Sequence, residues 1–354
     1  MGTSVVQPGD FTALVALRVK EGELMAINNA NRAAHFRPVQ PLLQFEAGAQ
    51  AEKQLEDVIT AVRTLNGFGR AVMLDASEDA AFGVAGALGE TANRLADEAD
   101  LSGHRGFIPV ARCDANDRQL TMLGELCREL GAGGVLRVRE PVVMASTVER
   151  LLAGLRLGCE DLDLIVDLQY VPKVTSALTD QAGEIIRTFA AFGPFRSTTL
   201  LAGSVPGTLS HTKVWEEPRI EEELWHALVA AGAGGLRLGD YGVVHPVPGD
   251  GFRAKHVTLR YTCWDHWLYS RERIPERDDE TGLASTEPPR ARTFRAVCRN
   301  VVQSEDYSGP GFSWGDRAIS DAAEGRGRGL GSSSKPVAYA TSHHLAYLAS
   351  RAAA

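Results

Sequence analysis

Residues 107–139 read FIPVARCDANDRQLTMLGELCRELGAGGVLRVR. Phe107–Val110 is a short apolar run, and the chain leaves it through Arg112 and Asp114, both in phase with Ile108 and Val110. Arg118–Leu130 then spaces Leu120, Leu123 and Leu130 as a helix would, and Gly134–Val138 is a second apolar run that leaves through Arg137 and Arg139. Apolar runs this short, bounded by glycine or charge, read as strands buried on both faces. Strand, helix and next strand within about 30 residues make one βα unit.

The unit repeats in both directions. Further runs of the same kind are Phe11–Val19, Pro38–Phe45, Ala71–Leu74, Leu162–Leu168, Ser197–Ala202 and Gly235–Leu238. Helical spacing fills the gaps: Glu52–Leu65 puts Leu55, Val58, Ile59 and Val62 on one face, and Thr147–Leu157, Glu184–Phe192 and Glu221–Ala231 behave alike. The segment between the third and fourth strands is the weakest helix, diluted by Gly83, Gly86 and Gly89. Eight strands alternating with helices allow a doubly wound sheet or a closed barrel. The count of eight favours an α/β fold of the (β/α)8, TIM-like type, and residues 11–241 match its usual length of about 250 residues. Residues 1–10 are an N-terminal tail.

The pattern breaks after Gly242. Val257–Ser270 alternates as a hairpin, residues 271–292 are charged and proline-rich and read as a loop, Thr293–Gln303 looks helical, residues 325–334 read as a flexible linker, and Ser342–Arg351 reads as a helix. Trp264, Trp267, Trp314 and five of the nine histidines fall in this stretch. A tail would not concentrate aromatic residues, so 242–354 is expected to be an extension that packs on the barrel.

Composition limits the function classes. With 354 residues, 44% of them apolar, the chain can bury a large core. A formal charge of −8 does not suggest a nucleic-acid coat. No apolar run is long enough for a membrane span, and the first residues lack the pattern of a signal peptide. The five cysteines, Cys113, Cys127, Cys159, Cys263 and Cys298, form no C-x-x-C pair, so neither a zinc knuckle nor a disulfide framework is expected and a cytoplasmic setting fits best.

In a barrel of this kind chemistry sits where strands end. The strand ends here are ionisable at every position but the seventh. The basic members are Arg18, Lys20, Arg112, Arg137 and Arg139, and the acidic ones Glu46, Asp75, Asp114, Asp167 and Asp240. One reading is a mixed-charge pocket at the barrel mouth for a small anionic or zwitterionic ligand, a nucleotide among the options. Arg137, Arg139 and Lys20 would bind the anion, and Asp167, Asp240 or His344 would serve as acid–base groups. Magnesium held by the carboxylates is open as well, although no metal motif selects it. The other reading is a salt-bridged layer that closes the barrel, with the aromatic extension forming a protein-interaction surface.

The remaining motifs are weaker. Gly325–Gly329 contains G-x-G without a phosphate-binding helix after it. His343 and His344 are adjacent, so on a helix they point about 100° apart and do not readily share a metal. Trp264–Trp267 could stack on a flat ligand or pack a hairpin. Asp316, within Phe312–Arg317, either lines a site or caps a helix starting at Arg317.

Several segments together resemble the beta protein family of bacterial and phage proteins: Arg18–Glu23, Asp163–Leu168, Leu201–Ser204, Gly239–Gly242 with His245-Pro246, Arg260–Thr262 with Trp267-Leu268, Phe312–Asp316, and Ser342–Leu345. The resemblance covers nearly the whole chain and implies no established reaction. By association it suggests a place in phage–host conflict. It adds Tyr241, Trp314, Asp316 and His343 to the candidate ligand residues. In a closed barrel the first and eighth strands adjoin, so Arg18 and Lys20 are expected beside Asp240 and Tyr241, with the extension bringing His343 or His344 to that seam.

Overall fold

The computed structural model describes residues 7–30, 33–45, 50–76, 83–99, 106–249, 255–275 and 287–351. The chain divides into two compact units. The first comprises residues 1–19, 33–204 and 220–241; the second comprises 20–32, 205–219 and 242–354.

The first unit is a closed barrel of eight parallel strands: β1 (Ala13–Arg18), β2 (Val39–Gln44), β3 (Val72–Asp75), β4 (Phe107–Arg112), β5 (Gly134–Val138), β6 (Leu162–Tyr170), β7 (Ser197–Gly203) and β9 (Leu236–Asp240). Its helices are α2 (Ala51–Gly67), α3 (Gly83–Ala99), α4 (Asp117–Leu130), α5 (Ala145–Leu155), α6 (Ser176–Ala190) and α7 (Ile220–Ala230). The barrel expected from the strand count is therefore present, closed by β1 lying against β9.

The local chemistry explains the elements. The Asn116 side chain accepts from the Gln119 amide at 3.0 Å, and the Gln119 side chain accepts from the Asn116 amide at 2.8 Å, so α4 starts with a reciprocal cap. It stops at Gly131, whose φ of 64° is the left-handed conformation that glycine adopts without penalty. Helix α6 begins at Ser176, earlier than its apolar spacing suggested, because the Thr175 hydroxyl caps the Leu178 amide at 3.2 Å.

One face of each of β1 to β7 fills the barrel. Ala16, Leu42, Met73, Val110, Val135, Ile165 and Leu201 form a shared apolar interior. Side chains two residues further on occupy the same face. Those of β1 to β6 are Arg18, Gln44, Asp75, Arg112, Arg137 and Asp167, so a polar layer lies directly on the apolar one.

The second unit holds α1 (Glu21–Asn28), β8 (Lys213–Pro218), β10 (His256–Thr262), β11 (His266–Arg273), α8 (Pro289–Val302), α9 (Trp314–Ala323) and α10 (Ser334–Arg351). The hairpin expected over 257–270 is β10–β11, and β8 joins it to make a sheet of order β10–β11–β8. Strand β8 was not foreseen because KVWEEP is mostly exposed and charged. The stretch 271–292, read as loop, is regular at both ends, since β11 runs to Arg273 and α8 starts at Pro289, where a proline without an N–H suits the first turn. Helix α10 begins at Ser334 rather than Ser342. It is buried around most of its circumference, so it shows no apolar stripe to mark its length.

Candidate functional site

Arg137 is the centre of the polar layer. It stands on β5 between Arg112 of β4 and Ile165 of β6 in register, and its side chain is fully buried. Its Nε donates to Asp167 Oδ2 at 2.9 Å, Nη1 to Gln44 Oε1 at 3.1 Å and also to Asp75 Oδ2, and Nη2 to the Tyr241 hydroxyl at 2.9 Å. Both carboxylates are fully buried too.

Two further arginines flank this centre. Arg112 holds Asp75 in bidentate fashion, Nε to Oδ1 at 2.9 Å and Nη2 to Oδ2 at 3.0 Å. Arg139 donates from Nε to Asp167 Oδ2 at 2.7 Å. Their side chains are 21% and 30% exposed. Arg139 engages only its Nε edge among the described residues, and Arg112 leaves Nη1 unengaged.

Asp167 owes its aim to an irregularity. The pairing of β6 with β7 slips by one residue between Asp167 and Gln169, and Gln169 sits at φ 54°. Left-handed backbone is costly for a residue with a side chain and gathers at functional positions. Here it turns the Gln169 amide back to Asp167 Oδ1 at 3.0 Å. The Tyr241 hydroxyl donates to the same oxygen at 2.6 Å.

The electrostatics follow from this geometry. Burial opposes ionisation of Asp167, but Arg137, Arg139 and the Tyr241 hydroxyl outweigh it and hold its pKa below the usual carboxylate range. For Asp75 burial is outweighed by Arg137 and Arg112 with the same result. Burial and then the Asp167 charge push the Tyr241 phenol up, so it stays a neutral donor. Asp167 is thus an ionised support and not a proton donor. Within the network three guanidinium groups share two carboxylates.

The other sequence candidates fall elsewhere. Asp240 pairs in register with Val15 and Ala202, outward-facing neighbours, so it points away from the barrel interior while Tyr241 points in. Asp114 is exposed in the turn after β4, because the strand ends at Arg112 and the expected alternation ends with it. Lys20 does not continue β1; it is exposed and precedes α1 in the second unit. Arg18 ends β1 beside Gln44. Glu46 lies outside the described residues.

Trp314, Asp316, His343 and His344 form a separate group within the second unit. Helix α9 is capped by Ser313, not by Asp316: the Ser313 hydroxyl accepts from the Asp316 amide at 3.1 Å. Asp316 instead gathers the Tyr261 hydroxyl at 2.6 Å, the Ser313 hydroxyl at 2.6 Å and His343 Nδ1 at 3.0 Å. His343 Nε2 lies 2.8 Å from the Thr262 carbonyl, an acceptor only, so this nitrogen donates. His344 Nδ1 lies 2.8 Å from the Thr262 hydroxyl. Both imidazoles are fully buried, His343 stacked 3.7 Å from the Tyr261 ring and His344 on Trp267. Trp314 packs edge-on against Tyr339. These residues tie α9, α10 and β10 into one core.

A cleft of about 320 Å³ opens at the opposite, N-terminal ends of β6, β7 and β9, lined in part by Arg196, Ser197, Gly235 and Arg237. Arg196 is held there by Asp163, at 3.2 Å and 2.7 Å. That end of a barrel ordinarily serves stability.

Comparison with known proteins gives a family. The family model described as Beta protein matches residues 15–350. No curated protein matches the chain. Among solved structures, the α-subunit of tryptophan synthase from Pyrococcus furiosus is 14% identical, with a TM-score of 0.40 over 68% of this chain and 89% of that one. The tryptophan synthase α2β2 complex from the same organism is 13% identical, with a TM-score of 0.39 and the same coverage. A protein assigned as a fructose-1,6-biphosphate aldolase from Coccidioides immitis is 14% identical, with a TM-score of 0.38 over 65% of this chain and 73% of that one.

Proposed function

The chain belongs to the beta protein family, and from the geometry of its barrel mouth we propose that it binds a small anionic or zwitterionic ligand there, of the carboxylate or phosphate-ester class to which nucleotides belong. The observation that carries this reading is the imbalance of the buried network. Among the described residues, the carboxylates that Arg112, Arg137 and Arg139 meet are Asp75 and Asp167, and the surplus cation is presented by the half-buried Arg139. A planar guanidinium with unused donors suits a carboxylate or phosphate. Arg137 is the fixed platform that aims its neighbours, since its own donors are already engaged. Val142 and Met144, exposed at 77% and 66% in the segment just after Arg139, supply an apolar rim for the uncharged part of such a ligand.

No reaction is part of the proposal. Asp167 is held ionised, Asp240 faces outward, and His344 is engaged in the core of the second unit. The setting proposed for this binding, phage–host conflict, rests on the family association and on no residue of the site. The test is mass spectrometry of small molecules that co-purify with the full chain, repeated on R139A and R112Q. The expected result is an anionic metabolite retained by the wild type and lost from R139A with the fold intact by circular dichroism. Identical metabolite profiles for the wild type and R139A would sink the proposal.

A further inference from the structure

Three donors of different chemistry converge in the second unit, away from the histidine pair singled out by the sequence. Cys263 Sγ, a His266 ring nitrogen and an Asp306 carboxylate oxygen all lie within 4.8 Å of one another, and His266 Nε2 is 3.4 Å from Asp306 Oδ2. Cys263 and His266 bracket the turn between β10 and β11, and the Cys263 amide donates to the His266 carbonyl at 2.9 Å. Asp306 comes from the segment joining α8 to α9, where its carboxylate accepts from the Ser304 hydroxyl at 3.0 Å.

His266 is poised as a ligand. Its Nδ1 lies 2.8 Å from Asp265 Oδ1, which fixes the ring and directs Nε2 toward the other two donors. A carboxylate behind the distal nitrogen is the usual support of a metal-bound imidazole. Nε2 is buried and makes no hydrogen bond among the described residues. Its nearest carboxylate oxygen, Asp306 Oδ2, stands 3.4 Å away, off the hydrogen-bond direction. That separation suits two ligands of one tetrahedral ion, since bonds of about 2.0–2.1 Å place neighbouring donor atoms about 3.4 Å apart. An ion pair alone would explain His266 and Asp306 and give Cys263 no part in it, its thiol making a weak 3.7 Å contact to the Tyr261 carbonyl.

We infer that Cys263, His266 and Asp306 form a transition-metal site of the zinc class, with the fourth position left to water. Thiolate, imidazole and carboxylate together suit a borderline-soft divalent ion and not magnesium or calcium. On binding, Cys263 Sγ releases its proton to solvent and forms the sulfur–metal bond; nothing is oxidised or reduced. The ion joins the hairpin tip to the segment that carries Tyr307 and Ser308, and the Ser308 amide bonds the Tyr261 hydroxyl at 3.0 Å. The site thereby clamps the same core in which Asp316 and His343 meet.

The test uses the full chain, stripped with a chelator and titrated with zinc and with cobalt(II). The wild type is expected to bind one equivalent of either ion. Cobalt should produce a thiolate-to-cobalt charge-transfer band in the near ultraviolet, and zinc should raise the melting temperature. C263S should abolish the band, and D306N should weaken zinc binding about 10-fold or more. H266Q, at a ring that is 19% exposed and so tolerant of change, is a second reporter should C263S fold poorly. C298S, in the core and outside the cluster, should bind as the wild type does. Absence of the cobalt band from the folded wild type, or equal zinc affinity in the wild type and H266Q, overturns the inference.

Discussion

The Tyr241 hydroxyl lies 2.6 Å from Asp167 Oδ1, joining the residue that follows the last strand of the barrel to the sixth strand. The same oxygen of Tyr241 accepts from Arg137 Nη2 at 2.9 Å, so one phenol serves as donor and acceptor inside the charge layer. Y241F keeps the ring and removes both bonds. A buried acceptor and a buried donor then lose partners, at a cost of about 1–3 kcal/mol. Chemical denaturation of both proteins should show this loss in the midpoint with an unchanged slope.

Arg137 is harder to replace. R137M leaves Asp75 and Asp167 facing each other across an apolar side chain, and breaking a buried ion pair from one side costs about 3–5 kcal/mol. R137K keeps the charge without the planar fork, so it cannot reach Asp167, Asp75, Gln44 and Tyr241 together. Thermal unfolding should rank wild type above R137K and R137K above R137M. A lysine variant as stable as the wild type would mean that the fork geometry is immaterial.

The pH dependence has a definite sign. Asp75 and Asp167 have folded-state pKa values below their ordinary ones. The unfolded chain therefore binds more protons than the folded one as pH falls through the carboxylate range. The stabilisation is complete above the unfolded value of about 3.9 and is lost as pH drops toward the folded values. Urea midpoints measured down an acid series should fall in the wild type and fall less steeply in D75N, which lacks one of the two groups.

Gly315 predicts a steric effect. A Cβ added there would stand 2.0 Å from the Tyr339 carbonyl oxygen, so G315A must push α9 away from α10. The Gly315 amide also bonds the Ser342 hydroxyl at 3.0 Å, a contact that the shift would stretch. Overpacking of this kind costs about 1–3 kcal/mol. Hydrogen exchange should show faster exchange of the α9 and α10 amides, with the barrel strands unchanged.

Much of the barrel was legible because each strand is buried on both faces and each connecting helix keeps one apolar stripe. The charge layer was legible for a related reason, since period two from Ile108 and Val110 leads to Arg112, and from Val135 to Arg137. The same rule failed at Asp114, where the chain turns off the strand, and at Asp240, whose register with Val15 faces it outward. No local pattern announces the slip at Gln169. In the second unit β8 escaped because an exposed, charged strand resembles a loop, and the length of α10 because burial on all sides erases the stripe. The metal ligands were hidden by distance, since Asp306 lies far along the chain from Cys263-x-x-His266.

The second unit is assembled from three separate pieces of chain, and this bears on its synthesis. Helix α1 and β8 are made before the partners they pack on, α10 and β11. Until then β8 has no neighbour for its backbone groups, and Trp215 lacks the Tyr269 ring on which it stacks at 4.9 Å. Nascent chains stopped near residue 241 should accordingly be held by chaperones or aggregate, and synthesis through β11 and α10 becomes the checkpoint for the second unit.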